Sequence, residues 1–254
     1  MIHPTVIINS GSKIASDVEI GPYTVIGGDV EIASGTKIAS FCTITGYTKI
    51  GKNNNIFSNT VLGSIPQDLK YKGEKSNLII GDGNKIREFV TMNPGTGEGG
   101  KTEIGNNNLI MAYAHIAHDC IIGNNVIIAN VGTLAGHVEM EDGAILGGLA
   151  AIHQFVRVGR LAIIGGCSKV TQDIPPFSMC DGHPAKFRGL NLEGLKRAGY
   201  SVEERMILKK VFKVLFLSKH SLSNAIEIVS KEYKSREINS LLDFVAKSKR
   251  GICR

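Results

Sequence analysis

Four of the seven histidines in this chain fall between residues 115 and 153, among side chains that could help them do chemistry. The stretch Met111–Ile122 reads MAYAHIAHDCII and holds His115, His118 and, directly after it, Asp119. His137 follows Gly136 in LAGHV, and His153 precedes Gln154 in IHQFVRVG. A histidine titrates near neutrality, so it can take a proton from one group and give it to another. A glycine beside it offers an unobstructed backbone N–H to a developing oxyanion. A base plus an oxyanion donor would suit acyl transfer to a hydroxyl. The same histidines read two other ways: three of them at a subunit interface can hold a catalytic zinc, or they are surface groups without chemistry. Residue types alone leave all three readings open. Neighbours along a strand face opposite sides, so Asp119 is expected to point away from His118 and to find its partner elsewhere, on another subunit.

Something must hold these residues in place, and the chain announces it as a repeat of six. From His3 the sequence divides into HPTVII NSGSKI ASDVEI GPYTVI and continues in one phase through MAYAHI AHDCII to GGCSKV, ending at Val170. Of these 28 hexads, 25 end in Ile, Leu, Val or Met, and the exceptions are Asp68, Glu74 and Glu98. A helix needs apolar residues every three or four positions, and an ordinary strand alternates every two without a Gly, Asn or Ser corner every six. A short strand ending in one inward aliphatic, followed by a tight corner, satisfies the pattern. One hexad is too small to be stable, and stacking many coils makes a continuous core.

In this pattern the chain resembles the hexapeptide-repeat, left-handed parallel β-helix family, mostly trimeric acyltransferases. The resemblance implies an all-β left-handed β-helix with three hexads, or 18 residues, per coil. His118, His137 and His153 lie in hexads that begin 18 residues apart, so they are expected to stack on one face as a ladder of imidazoles about 10 Å long at ~4.8 Å per coil. Two polar stretches, 63–80 (GSIPQDLKYKGEKSNLII) and 93–104 (NPGTGEGGKTEI), are expected to be loops extruded from the scaffold. Such loops carry function more often than scaffold does. The expected domains are the β-helix over 1–176, a linker over 177–200, and a small α-helical domain over 201–254. In the last, Ser201 and Glu204 have the form of a capping box.

Charge is uneven. Residues 190–254 hold 14 Lys or Arg and 7 Asp or Glu, whereas the chain as a whole is +6. The helical part therefore carries the positive charge, which points to an acidic partner. Nucleic acid is not expected, since no recognition motif accompanies the charge and aromatics are few. No apolar run reaches the 18–20 residues or so of a membrane span, and the N-terminus lacks a basic region followed by a long apolar stretch. The five cysteines are scattered without a CxxC pair, which suits reduced thiols in the cytoplasm.

Local strings narrow the resemblance. QDLKY (67–71), AHIAHDC (114–120), LAGHV (134–138), IHQFVRVG (152–159), QDIPP (172–176) and GLNLEGLKRAG (189–199) together resemble the UDP-N-acetylglucosamine 3-O-acyltransferase family over essentially the whole chain. That resemblance implies transfer of a (3R)-hydroxyacyl group from acyl carrier protein to the 3-hydroxyl of UDP-N-acetylglucosamine, the first step of lipid A biosynthesis, by a cytoplasmic homotrimer without metal or cofactor. His118 matches the general base, Asp119 its supporting acid and Gly136 the oxyanion donor. His115, His137, His153 and Gln154 match the substrate cleft. Gln67, Asp68 and Lys70 fall in a loop reaching a neighbouring subunit's site. Gly166 matches the acyl-chain groove. Asn191, Glu193 and Arg197 match the nucleotide end, with Arg197 the phosphate contact.

Two departures bear on specificity. Ala198 stands where many members carry a second arginine, and Lys169 where some carry glycine. Chain length is therefore left open, as is the choice between a sugar hydroxyl and a 3-amino analogue. Three rival readings share some of these features. A related N-acyltransferase carries an extra N-terminal domain, and here the hexads begin at His3. A γ-carbonic-anhydrase-like zinc enzyme shares the fold. A non-catalytic scaffold would need neither the loops nor the histidine face.

Overall fold

A computed structural model describes residues 1–254. Each hexad supplies a corner and then a two-residue strand at its fifth and sixth positions, as in Val25–Ile26, His115–Ile116 and Ile163–Ile164. Successive strands fall on different sheets, and three sheets of nine, eight and ten strands form the faces of a prism. Pairing between coils is parallel, for example Ile121 with Glu139 and Glu139 with Arg157. The chain is a left-handed β-helix closed by a small helical part.

The corner has a chemical signature at the third hexad position, where φ is positive: 56° at Asn53, Asn107 and Asn125, and 60° at Asp119 and His137. Asparagine tolerates this conformation, while larger residues carry of order 1–2 kcal/mol of strain. The fold repeats the corner so often that neighbouring coils enforce it. The fourth position also points inward, as at Val18, Thr24, Cys42, Asn54, Ala114, Cys120 and Val138, all buried. A regular hexad inside the prism therefore buries two side chains, not the single one expected. The apolar core along the axis is continuous from Val18 to Cys180. Inward asparagines bond from coil to coil: Asn54 Oδ1 accepts the Asn84 N–H at 2.9 Å, and Asn84 Oδ1 accepts the Asn108 N–H at 2.9 Å.

Both expected loops are shorter than their polar stretches. Asn77–Ile80 and Lys101–Ile104 are strands that pair with each other, with Leu78, Ile80, Thr102 and Ile104 buried. The extruded parts end at about Ser76 and Gly100. Register across them rises from 18 to 30 residues (Lys49 with Ile79) and then to 24 (Ile79 with Glu103). The insertions are thus two hexads and one hexad long, which is why the six-residue phase survives them and why the three non-aliphatic sixth positions lie in them.

The expected linker is ordered structure. Strands Ser178–Gly182 and Ala185–Leu190 form an antiparallel hairpin around the cis His183–Pro184 bond, and α1 (Leu192–Arg197) follows. The first hairpin strand pairs in parallel with Ile163–Ile164. The repeat runs one hexad further than its sequence suggests: Phe177 takes the positive-φ corner (66°), and Ser178 and Cys180 are buried. Pro175–Pro176 and a cysteine at the sixth position disguise it.

The helices α2 (Val202–Phe216), α3 (Leu222–Glu232) and α4 (Arg236–Ala246) begin at Ser201, Ser221 and Ser235. At Ser201 the capping box is formed in both directions, at 3.1 and 2.7 Å. They bury Leu208, Val211, Phe212, Leu215, Val229 and Leu241 against Phe177 and Leu195. No helix is long and apolar enough to cross a membrane.

Candidate active site

His118 and Asp119 sit at the second and third positions of a corner, not on a strand. The φ of +60° at Asp119 turns its side chain back beside its neighbour, so the alternation rule of strands fails here. His118 Nδ1 lies 2.8 Å from Asp119 Oδ2 in the same chain, contrary to the expected orientation. A carboxylate only accepts, so Nδ1 carries the proton and Nε2 keeps its lone pair.

Asp119 is itself anchored from the second loop. The Thr96 N–H donates to its two oxygens at 3.0 and 3.1 Å, and Thr96 Oγ1 donates to Oδ2 at 2.6 Å. Burial alone would raise the Asp119 carboxyl, but the bonds from Thr96 and His118 outweigh it and hold it below the ordinary 3.8. The group is ionised at neutral pH. Thr96 escaped the sequence reading. It lies 23 residues from Asp119, and the only signal was that the 93–104 stretch interrupts the repeat.

Across the ring from Asp119, Asp68 Oδ2 lies 3.9 Å from His118 Nε2. The first loop thus folds back over its own chain's histidine, where the resemblance implies a reach to a neighbour. Asp68 Oδ1 accepts the Lys70 N–H at 2.9 Å, and buried Asn93 ties the loop down through the Ser64 and Ile65 carbonyls at 3.0 and 3.2 Å. The side chains of Gln67 and Lys70 are exposed beside it.

Gly136 lies beneath the His118 ring. A Cβ there would stand 2.6 Å from Nε2 and closer still to Cε1, so only glycine lets the ring cross at this height. The Gly136 N–H has no acceptor within the chain. His115 shares the neighbourhood from the adjoining strand, with Nδ1 2.7 Å from Thr91 Oγ1. Burial first, and then His118, hold His115 below 6.5.

The expected ladder of three imidazoles is only partly formed. His137 meets His118 edge-on, with ring centres 5.2 Å apart, and its Nε2 is 3.7 Å from Asp119 Oδ2. Its other face stacks on Phe155 at 4.5 Å, not on His153. The reason is positional: the three histidines occupy the second, third and first places of their hexads, and a corner sends those in different directions. His153 turns instead to Arg250, whose Nη2 is 3.1 Å from its Nδ1. Gln154 is exposed beside it. A groove of about 740 Å³ runs from Asp119 and His137 past Phe155 and Arg157 to Lys249 and Arg250.

The other predicted site residues lie on helix α1 and on another corner. Asn191 caps α1, accepting the Gly194 N–H at 2.9 Å and donating to the Leu161 carbonyl at 2.8 Å. Its amide is thus occupied within the chain, while Glu193 and Arg197 are exposed on the same helix. Gly166 is exposed on the third corner, where a Cβ would meet the Gly148 carbonyl at 3.2 Å. One chain therefore unites His118, Asp119, Gly136, Asp68, His115 and His137, and keeps Asn191, Glu193, Arg197 and Gly166 apart from them.

One histidine nitrogen, one carboxylate oxygen and a second histidine nitrogen, from His118, Asp119 and His137, come within 4.8 Å of one another. This is not a three-histidine zinc set. Asp119 is already saturated by Thr96 and His118, and His153 faces a guanidinium, which a cation would oppose. The arrangement instead sets the lone-pair Nε2 of His118 over the Gly136 backbone.

The family described as bacterial transferase hexapeptide repeats matches residues 11–46 and 101–132, and "Udp N-acetylglucosamine O-acyltransferase; Domain 2" matches 173–253. A protein of Thiobacillus denitrificans named acyl-(acyl-carrier-protein)–UDP-N-acetylglucosamine O-acyltransferase is 51% identical, with 100% of this chain and 99% of that one covered. One of the same name from Aliarcobacter butzleri is 49% identical over 99% and 97%. Among solved structures, LpxA from Acinetobacter baumannii superposes with a TM-score of 0.96 at 42% identity, covering 100% of this chain and 99% of that one. The Bacteroides fragilis LpxA, a UDP-N-acetylglucosamine acyltransferase, gives 0.98 at 41%, covering all of both. The protein is thus an acyltransferase built on hexapeptide repeats. More narrowly, it belongs to the acyl-(acyl-carrier-protein)–UDP-N-acetylglucosamine O-acyltransferase family.

Proposed function

We propose that this chain moves a (3R)-hydroxyacyl group from acyl carrier protein to the 3-hydroxyl of UDP-N-acetylglucosamine, the first step of lipid A biosynthesis, with His118 as the base. The observation that carries the mechanism is the 2.8 Å bond from His118 Nδ1 to Asp119. It leaves Nε2 free to take the proton of the sugar hydroxyl. The hydroxyl oxygen then attacks the thioester carbonyl. The Gly136 N–H receives the resulting oxyanion, and the intermediate collapses as the carbon–sulfur bond breaks. The proton held by His118 passes to the departing thiolate. Asp119 and Asp68 face the imidazolium while it is charged. No step needs a metal or cofactor.

Substrate positioning extends the proposal beyond one chain. Asn191, Glu193 and Arg197 lie at helix α1 and Gly166 on a corner other than that of His118, so a complete cleft needs a neighbouring copy. Exposed apolar residues on the Gly166 corner support a homotrimer: Tyr113 is 58% exposed and Leu149 63%. In that assembly His137, His153, Gln154, Gln67 and Lys70 line the cleft, Arg197 binds the nucleotide phosphates, and the Gly166–Gly148 groove takes the acyl chain. Exposed lysines of α2 steer the acidic carrier protein in the cytoplasm.

The test is a mass-spectrometric assay of purified protein with UDP-N-acetylglucosamine and 3-hydroxyacyl carrier proteins of several lengths, with and without chelator. Chelator-insensitive product on one or two lengths is expected. Product only from the 3-amino sugar would overturn the acceptor, and loss of activity with chelator would restore the zinc reading.

A further inference from the structure

The end of the chain is stitched onto the end of the prism. Gly251 O accepts the Asp173 N–H at 2.8 Å, the Cys253 N–H donates to Asp173 O at 2.9 Å, and Ser248 Oγ donates to the Asp173 carboxylate at 2.7 Å. Arg250 lies within this stitch, so its backbone is fixed beside the last coils. Its Nη2 approaches His153 Nδ1 at 3.1 Å and the Thr171 carbonyl at 3.4 Å.

A guanidinium can only donate. The Nδ1 it meets must therefore be the lone-pair nitrogen, and the proton of the neutral ring sits on Nε2. The opposite tautomer has a partner waiting, because the Gln154 carbonyl lies 3.2 Å from the same Nδ1 and can only accept. One nitrogen cannot serve both neighbours, so Arg250 and the Gln154 carbonyl compete to set the tautomer. Arginine, charged and with its backbone pinned, makes the stronger bond.

We propose that Arg250 is a positioning residue for acyl transfer: it holds His153 as an Nε2–H donor on the side of the ring turned away from the C-terminal segment. The inference rests on the proposed role of His153 in the substrate cleft, where that N–H would serve an acceptor atom of the nucleotide sugar.

The tautomer can be read directly from 15N spectra of histidine-labelled protein, about two pH units above the ordinary histidine value of ~6.5. His153 is assigned by the signals lost in His153→Gln. Wild type is expected to show a bare Nδ1 and a protonated Nε2. In Arg250→Met, which keeps the aliphatic stem, the proton should move toward Nδ1. The KM for the nucleotide sugar should rise roughly three- to tenfold with kcat within about twofold, the size of one misdirected hydrogen bond. The amide of glutamine offers a donor without a tautomer, so in the His153→Gln background Arg250→Met should leave KM unchanged. A wild-type His153 protonated on Nδ1 overturns the proposal, whether or not the variant folds. So does an equal KM effect in both backgrounds, which would mark bulk charge. The spectra need no turnover, so an inactive wild type would overturn the proposed function alone.

Discussion

Thr96→Val removes one oxygen and leaves the shape of the side chain. It deletes the 2.6 Å bond to Asp119 Oδ2 while the Thr96 N–H and His118 bonds remain. A hydrogen bond to a charged group contributes about 1.5–3 kcal/mol. Asp119 is only 14% exposed, so water screens little of this, but the surviving partners favour the lower end. About 1.5 kcal/mol of misplaced carboxylate corresponds to a roughly tenfold loss in kcat/KM if it is felt in the transition state. The assay is steady-state transfer at neutral pH, with urea unfolding in parallel. Asp119 is held below 3.8 in the fold. The stability it contributes is therefore present above that value and lost as pH falls through the lower, folded value. The stability gap between wild type and variant should accordingly be full at neutral pH and close in acid. A kcat/KM within twofold of wild type in a folded variant would refute the view that the 93–104 loop holds the catalytic carboxylate.

Three further outcomes follow from the same geometry. Gly136→Ala places a Cβ 2.6 Å from His118 Nε2, so turnover should fall by about 10²-fold or more while the coil still folds, as circular dichroism and kinetics would show. Burial and then His118 hold His115 below 6.5; stability is full above that value and lost as pH falls below it. His115→Gln should therefore lose less stability than wild type in thermal unfolding as pH falls below about 6.5. Lys209, Lys210 and Lys213 are exposed on α2, and reversing their charges should raise the KM for acyl carrier protein about tenfold at low salt, an effect that fades as salt is added.

The fold was legible because every hexad is the same physical unit. The aliphatic sixth position returns in phase after each of the two insertions, whose lengths are multiples of six. The inward fourth position was not legible, since Thr24, Cys42, Asn54 and Ala114 share size and burial but no common polarity. The hairpin at 178–190 was hidden by Pro175–Pro176 and by Cys180 in an aliphatic's place. At the site, His118, Asp119 and Gly136 could be found from residue types and resemblance. Their geometry could not, because strand alternation does not hold at a corner with φ of +60°. Thr96 and Arg250 lie 23 and 97 residues from the groups they touch. No local pattern joins residues that meet only through a loop or a returning terminus.

The central claim is that His118 removes the proton from the acceptor hydroxyl. The most direct measurement compares His118→Ala with wild type for transfer from a 3-hydroxyacyl carrier protein to UDP-N-acetylglucosamine, in chelator, with the folded assembly checked by scattering and circular dichroism. The base role requires kcat to fall by roughly 10²- to 10⁴-fold with the assembly intact. A variant that keeps kcat within a few-fold of wild type would remove His118 as the base.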